Sequence, residues 1–256
     1  MARTLGFPEV EHEQLANPPL KAMLGQVQFP PILRIADPAS LAPFQEALAG
    51  TFPEFAPEQQ VSITVGPEGA STGRSQSFSF STPDNAWSVV LAPTALTLEA
   101  SAAQYTSYAA FRERFQEVWA VALEQLKPQR RHQIGLRYID HLEQEQSPDQ
   151  WTDWIRPEIV GLIAQPEIAE HVRQSLTDIR LELDHGILAF KHGIVQAGPE
   201  ARWGYLLDFD YFQQEQSDEI GSEALIERFD CFHEEIYAFF RWCLAEKAVK
   251  EFSDGG

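Results

Sequence analysis

The side chains that could do chemistry lie mostly in the second half of the chain. The run RRHQIGLRYIDHLEQE, starting at Arg130, sets Arg137 and Asp140 within a strand-like segment. A permanent guanidinium among mostly apolar strand residues needs a partner, because an unpaired buried charge costs several kcal/mol. Two later segments supply acids. RLELD spaces Arg180, Glu182 and Asp184 two apart, and YLLDFDYF does the same with Asp208 and Asp210. Alternate residues of a strand share a face, so each set points one way. Two roles therefore compete for Arg137. One is structural, a planar fork onto a carboxylate such as Asp208 or Asp210 that locks two strands. The other is a site for an anion or a peptide terminus. Arg137, Asp140, Asp208 and Asp210 are the candidate binding residues. An alternative chemistry uses Glu182, Asp184, Asp208 and Asp210, with His185 and His192 nearby, to ring a divalent cation in a metal-dependent phosphoesterase or nuclease. Against it stands the use of same-face acids to keep sheet edges from sticking.

Other chemistries lack their residues. No serine sits in a GxSxG elbow, and GPEGAST has glycines without the lysine of a phosphate loop. Cys231 and His233 are two apart on a helical segment and so face different ways. Cys231 and Cys243 would be about 18 Å apart along that helix and cannot form a disulfide while it is intact. No zinc-type spacing occurs, and no cofactor is expected. The first thirty residues lack a basic start followed by an apolar stretch, and no apolar run approaches a membrane span, so a cytoplasmic protein is expected.

The chain has 256 residues, with 38 acidic and 19 basic side chains and a net charge of −19. That excess repels phosphate backbones, so nonspecific nucleic-acid binding is not expected. The charge is uneven, −6 over residues 1–128 and −13 over the rest. Between Asp208 and Glu235 the acids Asp208, Asp210, Glu215, Asp218, Glu219, Glu223, Glu227, Asp230, Glu234 and Glu235 face Arg228 alone. Such a stretch is either a solvated face that keeps the protein soluble or a docking surface for a basic partner.

These residues must be positioned by recognisable elements. Residues 1–22 carry Pro8, Pro18 and Pro19 without a sustained period and read as an extended arm. A half-buried strand starts near Met23 and ends at Pro30 and Pro31. DPASLAPFQEALAGTF follows as a short helix, with Asp37 or Ser40 as cap and Gly50 as stop. Next come four strands, QQVSITV, QSFSFST, AWSVVLA and ALTLEAS, the first two joined by a loop GPEGASTGRS. A long helix carries Tyr108, Phe111, Phe115, Val118, Trp119, Ala122, Leu123 and Leu126 at core spacing and stops at Pro128. The order then restarts. IGLRYIDHL is a strand, DQWTDWIRPEIVGLI and PEIAEHVRQSL are helical, and DIRLELD, ILAFKHGIV and WGYLLDFDYF are strands. A last helix runs from about Ser222 to Lys247, with Leu225, Phe229, Phe232, Ile236, Phe239, Phe240 and Cys243 as its core face.

The tripeptide ERF recurs at Glu113 and Glu227, and the opening strands LGQVQF and IGLRYI share a second-position glycine. Together with the element order, these predict an α+β fold of two pseudo-repeats, residues 23–129 and 130–250, in one continuous structural unit followed by a disordered tail at 251–256. The order of strand, helix, antiparallel strands and long helix matches TATA-binding-protein-like or helix-grip-like topology, an analogy that carries no function.

Four segments carry a wider likeness: NPPL at Asn17–Leu20; FSFST with Asp84; LTLEAS followed by YTSYAAF at Tyr105–Phe111; and IGLRYID at Ile134–Asp140. They resemble a sporadically distributed family of uncharacterised bacterial proteins of about this length. The resemblance spans nearly the whole chain and is most specific at GLRYI, after which it implies an asparagine where this chain has Asp140. It implies no activity, and the family's patchy distribution implies defence-associated or mobile genes. The expected function is that of a non-enzymatic binding or regulatory protein with a protein partner of basic character. It would use the acidic C-terminal surface or a groove between the repeats.

Overall fold

The fold was obtained as a computed structural model that describes residues 4–7, 12, 15–66, 69–102, 105–143, 148–197 and 202–253, with backbone alone at 59–66, 69–75, 148–149, 196–197 and 202. It is α+β. Among the described residues nine strands are β1 (Leu20–Gln28), β2 (Glu54–Gly66), β3 (Gly69–Ser81), β4 (Trp87–Ala92), β5 (Ala95–Ser101), β6 (Arg131–Glu143), β7 (Thr177–Leu183), β8 (Gly186–Ala197) and β9 (Arg202–Ser217). They form one sheet in the order β2-β3-β4-β5-β1-β6-β9-β8-β7. The helices are α1 (Ala42–Leu48), α2 (Tyr108–Gln125), α3 (Pro157–Val160), α4 (Pro166–Ala169), α5 (Ser222–Cys243) and α6 (Glu246–Ser253). None of the helices in the described residues is long and apolar enough to cross a membrane.

Two compact units are drawn from interleaved parts of the chain. One comprises Leu24–Gly135 and Gln214–Phe229. Here β2, β3, β4 and β5 form an antiparallel meander, and β4 and β5 alternate a buried residue with a half-exposed one, as in Trp87, Val89 and Leu91 of β4. Helix α2 begins where Ser107 Oγ accepts the Ala110 amide at 3.2 Å, and buries Phe111, Phe115, Val118, Trp119 and Ala122 at three- and four-residue spacing. It ends at Gln125, and Lys127, with φ of 54°, turns the chain out of the helical region just before Pro128. Gly25 is needed for this packing. A Cβ there would lie 3.0 Å from the Phe111 ring and 3.3 Å from Phe229.

The other unit comprises Met1–Met23, Leu136–Gln213 and Asp230–Gly256. Strands β7, β8 and β9 form a second antiparallel meander. Tyr205, Leu207, Phe209 and Tyr211 of β9, with Leu188, Phe190 and Ile194 of β8, turn one face into the core. Onto it fall Phe232, Ile236, Phe239 and Cys243 of α5, with ring centroids 4.3 Å apart for Tyr211 and Phe232 and 4.6 Å for Phe190 and Phe239.

Several boundaries differ from the sequence expectation, each for a local reason. Strand β1 starts at Leu20, taking three residues from the expected arm; residues 1–3, 8–11 and 13–14 of that arm lie outside the described residues. The expected loop GPEGASTGRS is mostly strand, since β2 and β3 pair as far as Gly66 and Gly69, with 67 and 68 outside the described residues. The two helices expected between 149 and 176 are replaced by single turns. Pro157 and Pro166 each restart the chain at a first helical position, and Gly161 breaks it with φ of 60°. The last helix stops at Cys243, where Leu244 bridges to Ile155 and the Ala245 amide donates to the Trp154 carbonyl at 2.9 Å. Helix α6 then carries Glu251–Ser253, part of the expected disordered tail, with Phe252 buried; 254–256 lie outside the described residues.

Candidate functional site

Arg137 of β6 and Asp208 of β9 meet on the sheet face that α5 does not cover. The guanidinium donates from Nε to Oδ1 and from Nη2 to Oδ2, both at 2.7 Å, which is the two-pronged geometry only arginine supplies. The Asp208 side chain is 7% exposed and that of Arg137 39%. Hydrogen bonding to Asp208 raises the Arg137 pKa further, against the pull of burial. The register extends the pairing. Lys191 of β8 stands directly opposite Asp208, and Asp178 of β7 directly opposite Lys191, so charge alternates in sign from Arg137 through Asp208 and Lys191 to Asp178. One pair along, Asp210 faces Ala189, which faces Arg180. Burial, the first cause, and the Asp208 charge raise the Asp210 carboxyl's pKa, while Arg137 lowers it.

Asp140 sits on the opposite face, next in alternation to Tyr138 and Leu136. It is 5% exposed, and burial, reinforced by the charge of Asp208, pushes its carboxyl up to about 8. Tyr138 on the same face has its hydroxyl 2.8 Å from His233 Nδ1. Burial also pushes the Cys243 thiol up. His192, expected near the carboxylates, instead points into the core, with Nδ1 3.1 Å from the Tyr205 hydroxyl. The four candidate binding residues thus divide between two faces: Arg137, Asp208 and Asp210 on one, Asp140 on the other.

The alternative cation quartet is not assembled. Glu182 and Asp184 are exposed near the end of β7, with β8 lying between β7 and β9 in the sheet. Glu182 lies opposite Ile187 and Asp208 opposite Lys191, so the carboxylates stand in different rows. Among the described residues the set that comes within metal-binding distance is a different one, His12, His233 and Glu234. Sequence spacing could not reveal it, because His12 and Glu234 are 222 positions apart.

The acidic stretch divides between the units. In the unit containing Gln214–Phe229, Glu215, Asp218, Glu219, Glu223 and Glu227 are exposed around the corner between β9 and α5. The corner is fixed from below, where Trp119 Nε1 donates to the Ile220 carbonyl at 2.8 Å. Arg130 Nε reaches Asp218 Oδ1 at 3.3 Å in an exposed pair. Arg131 is buried, its pKa lowered first by desolvation and then by Arg228, and raised by Glu215 and Glu219.

No family model matches the chain, and no curated protein does. Among solved structures, the crystal structure of the di-domain ARO/CYC StfQ from the steffimycin biosynthetic pathway aligns over 87% of this chain and 97% of its own at 10% identity, with a TM-score of 0.17.

Proposed function

We propose that this is a non-enzymatic interaction protein that docks a basic partner protein on the corner formed by the end of β9 and the start of α5. The observation that carries the reading is the exposure of Glu215, Asp218, Glu219, Glu223 and Glu227 on one structural corner held by Trp119. Carboxylates on a fixed backbone present a standing field to a cationic surface, which speeds encounter and excludes acidic competitors. The face around Arg137 supports the same reading by elimination. Its guanidinium spends one edge on Asp208, and the next charges along the row alternate, so the field there is largely self-cancelling. We also read the chain as a duplication, on the strength of a strand, a helical segment, antiparallel strands and a long helix occurring in that order twice.

The test is cross-linking of the full chain in its native host, compared with the triple variant Glu219→Lys, Glu223→Lys, Glu227→Lys. Loss of a specific basic protein from the cross-linked set, with an unchanged melt, supports docking at this corner. Hydrolysis of a phosphodiester with Mn²⁺ that disappears in Asp208→Asn would replace it with the enzymatic reading.

A further inference from the structure

One segment of the N-terminal arm meets α5 where three metal-ligating side chains converge. His12 Nε2 lies 2.8 Å from Glu234 Oε2. The His12 ring stacks on His233, with centroids 5.0 Å apart, and on Tyr237 at 4.2 Å. One ligand atom from each of His12, His233 and Glu234 lies within 4.8 Å of the other two, and among the described residues no other group of histidine, cysteine or acid side chains does this. We propose that His12, His233 and Glu234 form a site for a divalent transition metal of the zinc class, and that the bound ion ties the arm to α5.

The donor set selects the metal. Two imidazole nitrogens and one carboxylate oxygen suit Zn²⁺ and its neighbours, whereas Ca²⁺ and Mg²⁺ require oxygen throughout. The geometry is within reach of side-chain rotation. Bonds of roughly 2.0–2.2 Å in a tetrahedron set ligand atoms roughly 3.3 Å apart. The 2.8 Å edge and the 4.8 Å limit bracket that separation. His233 and Glu234 are consecutive in α5 and so diverge by roughly 100° around the helix axis, which is why two helix residues alone could not close on an ion. The arm supplies the third ligand.

The surroundings fit a ligand shell. With His233 Nδ1 engaged by the Tyr138 hydroxyl at 2.8 Å, Nε2 is the nitrogen that would ligate, and the Tyr138 contact fixes the ring as outer-shell partners of metal-bound histidines do. The arm is seated independently, since Phe7 stacks on Phe239 at 5.3 Å and on Trp242 at 5.0 Å. Three protein ligands leave a fourth position for water or an exchangeable group.

The experiment titrates Zn²⁺ into chelator-treated full-length protein, followed by calorimetry, by melting temperature and by ¹⁵N signals of the histidine rings. The expected result is one saturable equivalent, a raised melting temperature, and ring shifts at both His12 and His233, with no comparable response to Mg²⁺. His12→Ala and Glu234→Gln should each weaken binding at least tenfold. Both residues are exposed, and their mutual contact is of the surface kind that contributes little to folding, so the metal-free melt of Glu234→Gln should match wild type, while that of His12→Ala should fall only by the loss of its ring stacking on His233 and Tyr237. His233 is buried and bonded to Tyr138, so its substitution would perturb the fold as well as the site and is not used. No saturable binding, binding that survives both substitutions, unmoved ring signals, or an equal response to Mg²⁺ overturns the proposal.

Discussion

Arg137 closes on Asp208 through two hydrogen bonds of 2.7 Å, joining neighbouring strands β6 and β9 on an uncovered sheet face. Removing the guanidinium leaves a nearly buried carboxylate, with Lys191 in the opposite register position on the next strand. Arg137→Ala should therefore cost about 1.5–3 kcal/mol, the range for hydrogen bonds to charged groups. The larger loss typical of fully buried pairs is not expected, since water already screens Arg137. Arg137→Lys should recover less than half of the loss, because an ammonium cannot make both contacts. Urea unfolding of the two variants checks this. A wild-type melt for Arg137→Ala would return the residue to the role of an anion site.

Asp140 sets a pH dependence on the other face. Its folded pKa, about 8, lies above the ordinary carboxyl value of 3.8, so the folded state holds a proton that the unfolded state releases. The contribution is fully present below about 3.8 and is lost as pH rises through about 8. Asp140→Asn removes the ionisable group and should stabilise the protein at pH 8 by a few kcal/mol at most, with little effect at pH 4. Thermal melts across that range, wild type against variant, should diverge as pH increases.

Gly204 is required by a close approach. A Cβ there would stand 2.2 Å from His141 Nε2 and 2.7 Å from the Leu142 carbonyl oxygen. His141 is itself buried and cannot swing into solvent without cost. Gly204→Ala should destabilise by about 3 kcal/mol, the upper end of ordinary overpacking, because one obstacle is backbone. Gly50→Ala, with nothing within 4 Å of the added methyl, is the control and should change stability by less than about 0.5 kcal/mol.

The net charge of −19 predicts that binding to random duplex DNA at about 0.15 M salt will be undetectable by fluorescence anisotropy. Of the adjacent basic residues Arg130 and Arg131, Arg130 pairs with Asp218 and Arg131 is buried. Tight, salt-sensitive binding would mean that a concentrated basic face outweighs the total.

The sequence alone determined the features that depend on local periodicity. The Phe111, Phe115, Trp119 spacing makes α2 and the Phe229, Phe232, Ile236 spacing makes α5, because a helix repeats its core face every three or four residues. The alternation in β4, β5 and β9 likewise specified strands, and the demand of Arg137 for a carboxylate pointed to Asp208 or Asp210, of which the structure pairs it with Asp208. Only the tertiary structure decided what depends on distance along the chain. It buried Asp140 on the Leu136 and Tyr138 face where strand alternation had put it, kept Glu182 and Asp184 away from Asp208, and broke the helical reading of residues 149–176 at Pro157, Gly161 and Pro166. It also brought His12 against His233 and Glu234. No periodicity spans 222 positions. Such neighbours are chosen by strand order and by which helix an arm lies on, and those follow from burying the apolar surface of the whole chain at once.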